Sequence, residues 1–227
     1  MNPFKASELT ASRPWHLACS SLRIVHLSTA SARVPKSWRE ALPTLVGRDV
    51  VLRDLHAADA APLFDLLTTV EVARFLSPPP SSPRGFERFV RWTADERRAG
   101  RHACFAVTLP TSDAAIGIFQ VRLIEERPGT AEWGFALGSP FWGRGLFEDG
   151  AALALGFAFS TMGAHRLEAC AAARNERGNR ALQKLGALQG GHLRQSFQQS
   201  GDLDQVLWTI RADDHANASN RAVRTSH

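Results

Sequence analysis

The sequence predicts a single domain of mixed α/β (α+β) structure, and three observations lead to this interpretation. Three consecutive stretches in the middle of the chain have the composition of strands and are joined by turn-forming residues, as in an antiparallel meander. Two segments with helical periodicity precede them. A glycine-rich turn, an apolar helix, a strand, another helix and two strands follow. The length of 227 residues allows one ordinary domain with some excess.

The first predicted elements are one strand and two helices. The stretch "RDVVLRDL", residues 48–55, alternates like a strand. Residues 57–76 follow a helical pattern whose apolar face consists of Leu63, Phe64, Leu66 and Leu67. The next helix is expected to begin after Ser82, which can cap it, with Pro83 in its first turn, and to end at Gly100.

The meander and the elements after it complete the predicted fold. The three strands of the meander are "HACFAVTL", "AAIGIFQVRLIEE" and "TAEWGFAL", with turns at "PTSDA" and "ERPGT". After the glycine turn, "RLEACAAA" is expected to form a strand and "NRALQKL" a helix that ends at Gly186. Two last strands are expected around "QQSGD".

Both ends of the chain differ in composition from the part between them. Residues 1–44 lack sustained periodicity and are rich in Ser and Ala, so we expect a mobile or disordered extension. Residues 213–227 are polar and contain no core-forming pattern, which predicts a frayed tail. The folded domain is therefore expected to span residues 45–212.

Composition narrows the class of protein. A hydrophobic content of 44% and a charged content of 22% are typical of globular proteins. No apolar run reaches the roughly 20 residues of a membrane helix. The net charge of +5 comes from scattered basic residues, which disfavours nucleic acid as a partner. The three cysteines are widely spaced and form no metal motif, so a cytoplasmic protein without a metal is expected.

The stretch "FWGRGLFEDGA", residues 141–151, contains the strongest functional signal. Gly143 and Gly145 surround Arg144 just before an apolar helix. The first turn of a helix has N–H groups without partners and a partial positive charge, so an anion such as a phosphate can bind there. Glycine allows close approach. A sharp strand-to-helix turn without any ligand explains the same spacing, and the stretch is neither a P-loop nor a dinucleotide fingerprint.

Two segments together resemble a known family. "FWGRGLFEDGA" after "AEWGFAL", followed by "HRLEACAAARNERGNRALQKLGALQGG", is similar to the GCN5-related N-acetyltransferase (GNAT) family, specifically to its RimJ/RimL type. The opening "LVGRDVVLRDLHAADA" also looks like the first strand and helix of that family. The resemblance covers residues 45–212. It implies a mixed, mostly antiparallel sheet of about seven strands, with splayed central strands and flanking helices.

The resemblance also implies a site for acetyl-coenzyme A (acetyl-CoA). The pyrophosphate would bind the amides from Gly143 to Phe147, and the pantetheine arm would pair like an added strand with the backbone of residues 135–137. Asn175 matches an Asn of the family that touches cofactor or substrate, although local capping explains it equally well. Arg144 and Lys184 are the nearest candidates to bind the other phosphates. The candidate cofactor-binding residues are Phe135, Ala136, Leu137, Trp142, Gly143, Arg144, Gly145, Leu146, Phe147, Asn175 and Lys184.

The predicted catalytic residue is Glu132, in "AEWGF" just before the glycine turn. Family members often have a carboxylate there that receives the proton of the amine, usually through water. The alternative is a structural glutamate that forms an ion pair. The usual general acids are missing: the sequence contains no tyrosine, Leu182 stands at the tyrosine position of the family, and Gly178 stands at the serine position of RimL-like members.

The resemblance identifies the acceptor only as a primary amine, either of a small molecule or of a protein N-terminus. At pH 7 an α-amine is about 10% neutral, whereas about one lysine in 2,500 is neutral, so an α-amine makes a smaller demand on the base. The alternative function is a domain that binds acyl-coenzyme A without transfer and serves as a regulatory or scaffolding module. A monomer or a homodimer is expected.

Overall fold

The computed structural model describes residues 37–76, 79–197 and 201–214. These residues form one eight-stranded sheet with helices on both faces, in the strand order β1-β2-β3-β4-β5-β6-β8-β7. The strands are β1 Leu45–Val46, β2 Val51–Asp54, β3 His102–Leu109, β4 Ser112–Leu123, β5 Thr130–Leu137, β6 Arg166–Ala172, β7 Leu188–Phe197 and β8 Gly201–Arg211. The helices are α1 Ser37–Glu40, α2 Ala60–Leu67, α3 Val70–Ala73, α4 Pro83–Arg98, α5 Leu146–Ser160 and α6 Glu176–Lys184.

The pairing of the strands confirms the predicted mixed sheet. Within the described ranges, β5 and β6 are the one parallel pair, and all other neighbours are antiparallel. The described part of the sheet has eight strands rather than about seven. The additional strand is β1, whose Leu45 and Val46 pair with Leu52 and Val51. Two residues are too few to produce an alternating pattern, so the sequence did not reveal this strand.

Apolar side chains on the two faces of the sheet form two cores. Leu63, Leu67, Phe86 and Phe89 of α2 and α4 pack on one face of the sheet. Residues of α5 pack on the other face, which also receives Leu182 of α6. We call these the α4 face and the α5 face. Because side chains alternate along a strand, each residue of β5 is assigned to one face by its position.

Helix α1 corrects the predicted start of the domain at residue 45. Trp38 is 1% exposed and lies in the core of the α5 face, where its ring meets the Phe157 ring edge-on at 6.3 Å. Nη1 of Arg97 in α4 donates to the carbonyl oxygen of Arg39 at 3.0 Å. The packed domain thus extends back to residue 37. A helix of four residues is too short to produce a periodic pattern, so the sequence did not indicate it. Residues 1–36 and 215–227 lie outside the described residues.

The predicted helices are found, with changes at their ends. Ser82 caps α4 by accepting the Gly85 N–H at 3.1 Å. The helical segment at 57–76 is two helices, α2 and α3, which are separated at Thr68 and Thr69. Helix α6 begins three residues before the predicted start at Asn179, because Asn175 caps it. No helix in the described ranges is long and apolar enough to cross a bilayer.

The start of α5 is fixed by a carboxylate in its first turn. Asp149 accepts the backbone N–H groups of Arg48, Asp49 and Val50 at 3.2, 2.7 and 3.1 Å, which joins α5 to the segment before β2. Gly47 lies so close that a Cβ there would be 2.5 Å from the Asp149 carboxylate. These contacts hold the glycine turn before α5 against the sheet.

Candidate active site

A cleft opens where β5 and β6 separate. The two strands pair at Thr130, Ala131 and Glu132 with residues 166–168, and no pairing follows. Both diverge beyond this point, as predicted for the central strands. The resulting cavity measures about 70 Å³. It is lined by residues 133–135 of β5, residues 169–172 of β6, the start of α6, and Phe75 and Leu76.

The hydrogen bonds between β4 and β5 determine which backbone groups of β5 face this cleft. Gly138 donates to the Ile116 carbonyl and Ile124 donates to the Thr130 carbonyl, which makes the even-numbered residues of β5 the hydrogen-bonded partners of β4. In an antiparallel pair the alternate residues, here the odd-numbered residues of β5, direct their N–H and C=O groups away from the partner strand. The N–H and C=O of Phe135 therefore point into the cleft, beyond the last β6 partner.

This pattern shows which backbone groups of the predicted cofactor segment are available to a ligand in the cleft. Ala136 directs its backbone groups to Ile118 of β4, so it cannot offer them to a ligand in the cleft. The N–H of Leu137 faces the cleft. Its carbonyl oxygen already accepts the indole N–H of Trp142 at 2.8 Å. Trp142, predicted as a cofactor-binding residue, thus fixes the end of β5 through its side chain.

The glycine turn has the geometry of an anion cradle. Gly143 and Gly145 have φ angles of 73° and 77°, in the left-handed region that favours glycine. A Cβ at either position would meet nothing within 4 Å, so both face open space. Gly145 is the N-cap of α5 and provides no side-chain cap. The first N–H groups of α5, those of Leu146 and Phe147, therefore lack the intrahelical partners that later residues have.

The Phe147 side chain does not fill this cradle. Its ring lies 4.4 Å from the Phe135 ring and 5.9 Å from the Phe119 ring, on the α5 face of the sheet. A bulky residue at this position of the glycine turn is therefore compatible with a ligand above the turn, because its ring packs against the rings of β4 and β5.

The two predicted phosphate-binding cations differ in their contacts. Arg144 is exposed, and its guanidinium lies 5.9 Å from the centre of the Phe141 ring. Lys184, in contrast, forms an ion pair with Glu148 of α5, with 3.3 Å between Nζ and Oε1. A glutamate in the first turn of α5 thus already balances the charge of Lys184.

Asn175 and Gly178 form a local capping unit at the edge of the cleft. Oδ1 of Asn175 accepts the Gly178 N–H at 3.0 Å. A Cβ at Gly178 would lie 2.6 Å from Nδ2 of Asn175, so a serine there would disturb the cap. Leu182, one turn later, is 1% exposed and also lines the cleft. Capping therefore accounts for Asn175, and neither Gly178 nor Leu182 offers a hydroxyl group.

Glu132 lies at the closed end of the cleft, on the α4 face. It directly precedes the lining residue Trp133 and is 8% exposed. Nη2 of Arg122, its cross-strand partner on β4, lies 2.5 Å from Oε2. Burial raises the pKa of Glu132 above the usual range, and the charge and hydrogen bond of Arg122 oppose this shift.

Glu132 belongs to a row of charged residues that crosses the sheet, which we call the charged row. The row consists of Arg122 on β4, Glu132 on β5 and Glu168 on β6, which are successive partners in the strand register. Glu168 is 6% exposed and forms ion pairs with Arg127 and Arg166, at 2.9 and 2.8 Å. Sequence reasoning missed Arg122, Arg127 and Glu168, because they reach Glu132 only through strand pairing and the turn after β4.

Residues 49–188 match the family model of the Acetyltransferase (GNAT) domain. The chain is 25% identical over 169 residues to the uncharacterized N-acetyltransferase p20 of Bacillus licheniformis, and the alignment covers 73% of this chain and 93% of that protein.

Solved structures share the fold. One, from T. thermophilus and assigned as an acetyltransferase, is 25% identical, with a TM-score of 0.66 and coverage of 81% of this chain and 97% of that chain. Mycobacterium smegmatis RimJ in complex with CoA-disulfide has a TM-score of 0.67 at 20% identity, with coverage of 75% and 88%.

Proposed function

Since the chain belongs to the GNAT acetyltransferase family, we propose that this acetyltransferase moves the acetyl group of acetyl-CoA to a primary amine by direct attack in a ternary complex. The observation that carries the proposal is the cleft between β5 and β6, which has unpaired backbone groups on one wall and a cradle of left-handed glycines at its mouth.

The described residues fit acetyl-CoA. The open space above Gly143 and Gly145, next to the first N–H groups of α5, suits a pyrophosphate. The cleft-facing N–H and C=O of Phe135 suit the amides of a pantetheine arm, which would extend the sheet as a strand does. Bound acetyl-CoA supplies an activated thioester. The protein positions its carbonyl group, and the Phe135 N–H is a candidate donor to the developing oxyanion.

Glu132 is the proposed general base. Arg122 engages Oε2, which leaves Oε1 to accept a proton from the amine, directly or through one water. Burial raises the pKa of Glu132, which makes the carboxylate a stronger base than an exposed glutamate. Its place beside the cleft, one residue before the lining residue Trp133, favours transfer through water.

The leaving thiolate is proposed to depart without a protein acid. The cleft wall at α6 presents Leu182 and Gly178, which have no side-chain proton to donate. A thiol pKa of about 8.5 makes the thiolate a stable leaving group near neutral pH, and water can protonate it afterwards.

The proposed acceptor is an amine that is partly neutral at physiological pH. One buried carboxylate with an arginine partner provides modest help with deprotonation, which suits an α-amine of pKa near 8 better than a lysine of pKa near 10.4. A protein N-terminus or a small molecule with an amine of similar pKa satisfies this condition.

Calorimetry and a thiol-release assay test the proposal. We expect wild-type protein to bind acetyl-CoA with micromolar affinity, and Gly145→Glu to abolish binding by placing bulk and negative charge in the cradle. Thiol release should then depend on an added amine and should be faster for N-terminal peptides than for the same peptides with a blocked N-terminus and a free lysine. Wild-type protein without acetyl-CoA binding would refute the proposed function.

A further inference from the structure

The cations of α6 differ in whether a carboxylate balances them. Arg180 pairs with Glu176 one turn earlier, at 2.7 Å. Lys184 pairs with Glu148 at 3.3 Å. Arg177 has no ion pair with a carboxylate within the described residues, although it is exposed at the first turn of the same helix.

Arg177 is instead held against an aromatic ring on the other side of the cleft. Its guanidinium carbon lies 4.7 Å from the centre of the Trp142 ring. Trp142 directly precedes Gly143 and is itself fixed by its bond to the Leu137 carbonyl. The contact thus joins the helix after β6 to the turn after β5, at the mouth of the cleft.

We propose that Arg177 binds a phosphate group of the coenzyme, opposite the amides of the glycine turn. This inference rests on the proposed function, since it assumes that an acyl-coenzyme A occupies the cleft. It replaces the sequence-based assignment of Lys184, whose charge Glu148 already balances.

Physical reasons favour Arg177 over the other cations of the helix. A guanidinium on an aromatic face keeps its N–H donors at its edge, where they can form charge-assisted bonds to phosphate oxygens. No carboxylate has to be displaced first, unlike at Lys184. The ring contact also restricts the side chain before binding, which lowers the entropy lost on forming the phosphate bond.

The test measures binding of coenzyme A by calorimetry, which needs no acceptor and no turnover. We expect Arg177→Gln to raise the Kd about tenfold, as the removal of roughly one charge-assisted hydrogen bond would do. Its matched control is Arg180→Gln, one turn away on the same helix, which should change the Kd by less than about twofold. The salt dependence of Kd should become shallower in Arg177→Gln, because the substitution removes an ionic interaction.

Repeating the titrations with 3′-dephospho-coenzyme A identifies the phosphate. A loss that appears only with intact coenzyme A assigns Arg177 to the 3′-phosphate, and an equal loss with both ligands assigns it to the pyrophosphate. Either result supports the proposal.

Two results would contradict the inference, and a third would contradict the proposed function. Unchanged affinity in Arg177→Gln would overturn the inference, and so would a larger loss in Lys184→Gln. Absent binding by wild-type protein would instead refute the proposed function, so the two failures are distinguishable. A thermal unfolding curve that matches wild type excludes a folding defect in the variant.

Discussion

Strand β5 has two ends of opposite character. At its start, Glu132 is paired on both sides and lies in the charged row between Arg122 and Glu168. At its end, one edge is unpaired and the chain passes into the left-handed glycines at 143 and 145. The first end is built from side chains of several strands, whereas the second is built from the backbone of one continuous segment. In the proposed function, the first end carries out the chemistry and the second end binds the coenzyme.

Glu132→Gln should produce the largest effect. It changes only the start of β5, which we call the charged end. We expect turnover to fall by about 10² to 10⁴, because the amide cannot take the proton, while the Kd of acetyl-CoA stays nearly constant. Steady-state kinetics and calorimetry measure the two quantities.

The matched control is Glu168→Gln, which removes the neighbouring buried carboxylate of the charged row. It should retain most of the turnover, since Glu168 is engaged by Arg127 and Arg166. Equal losses in both variants would mean that the row has a structural role and that Glu132 is not the base.

Trp38→Ala asks whether α1 belongs to the packed core that supports α5. Trp38 packs on Phe157 of α5, the helix that begins at the glycine turn. Removing this buried ring should lower the free energy of unfolding by about 3–5 kcal/mol. Urea unfolding measures the change, and Val46→Ala, at a side chain that is 71% exposed, is the control for truncation at the surface. A loss below about 1 kcal/mol would mean that α1 is not part of the packed domain.

The two ends also differ in how far the sequence predicts them. The glycine turn, the cap at Ser82 and the meander strands are local patterns, and the structure has them at or close to the predicted positions. The partners of Glu132 depend on the register of the strands. Arg122 is ten residues earlier in the chain and lies opposite Glu132 only in the observed pairing of β4 with β5. That register is set by the geometry of the turn between the two strands, and a shift of one residue would turn Arg122 away from Glu132.

Contacts between distant elements add what the sequence could not show. Lys184 is a phosphate-binding candidate by sequence, and in the structure Glu148 of α5 forms an ion pair with it. Ala136 lies within the predicted pantetheine segment, and only the hydrogen bonds to β4 show that its backbone is turned away. Arg177 was overlooked, since only the folded chain brings the start of α6 next to Trp142, which is 35 residues earlier in the sequence.

Gly145→Ala changes the other end of β5, where the chain passes into the left-handed glycines. It should leave the acetyl-transfer step intact. Alanine in the left-handed region costs about 1 kcal/mol, and its methyl group would project into the cradle. We expect the Kd of acetyl-CoA to rise about tenfold, whereas turnover at saturating acetyl-CoA stays within about threefold of wild type.

Gly163→Ala is the matched control for backbone strain. Gly163 has a φ of 74° and open space around it, but it lies at the far end of α5. It should lose similar stability with no change in affinity. Equal losses of affinity in both variants would mean that strain, rather than occupation of the cradle, weakens binding.

Arg122→Gln is the mildest change and tests how the charged end adjusts its base. As the proposed base, Glu132 acts only when it is deprotonated, so kcat/KM should fall as the pH drops through its pKa. Burial raises this pKa, and Arg122 lowers it by its charge and hydrogen bond. Loss of Arg122 therefore shifts the acidic limb of the pH profile to higher pH and reduces the rate near neutral pH. The acceptor must be the same for both enzymes, so that ionisation of the amine contributes equally. A limb that stays in place would show that another group accepts the proton, and the charged row would then only join the paired ends of β4, β5 and β6.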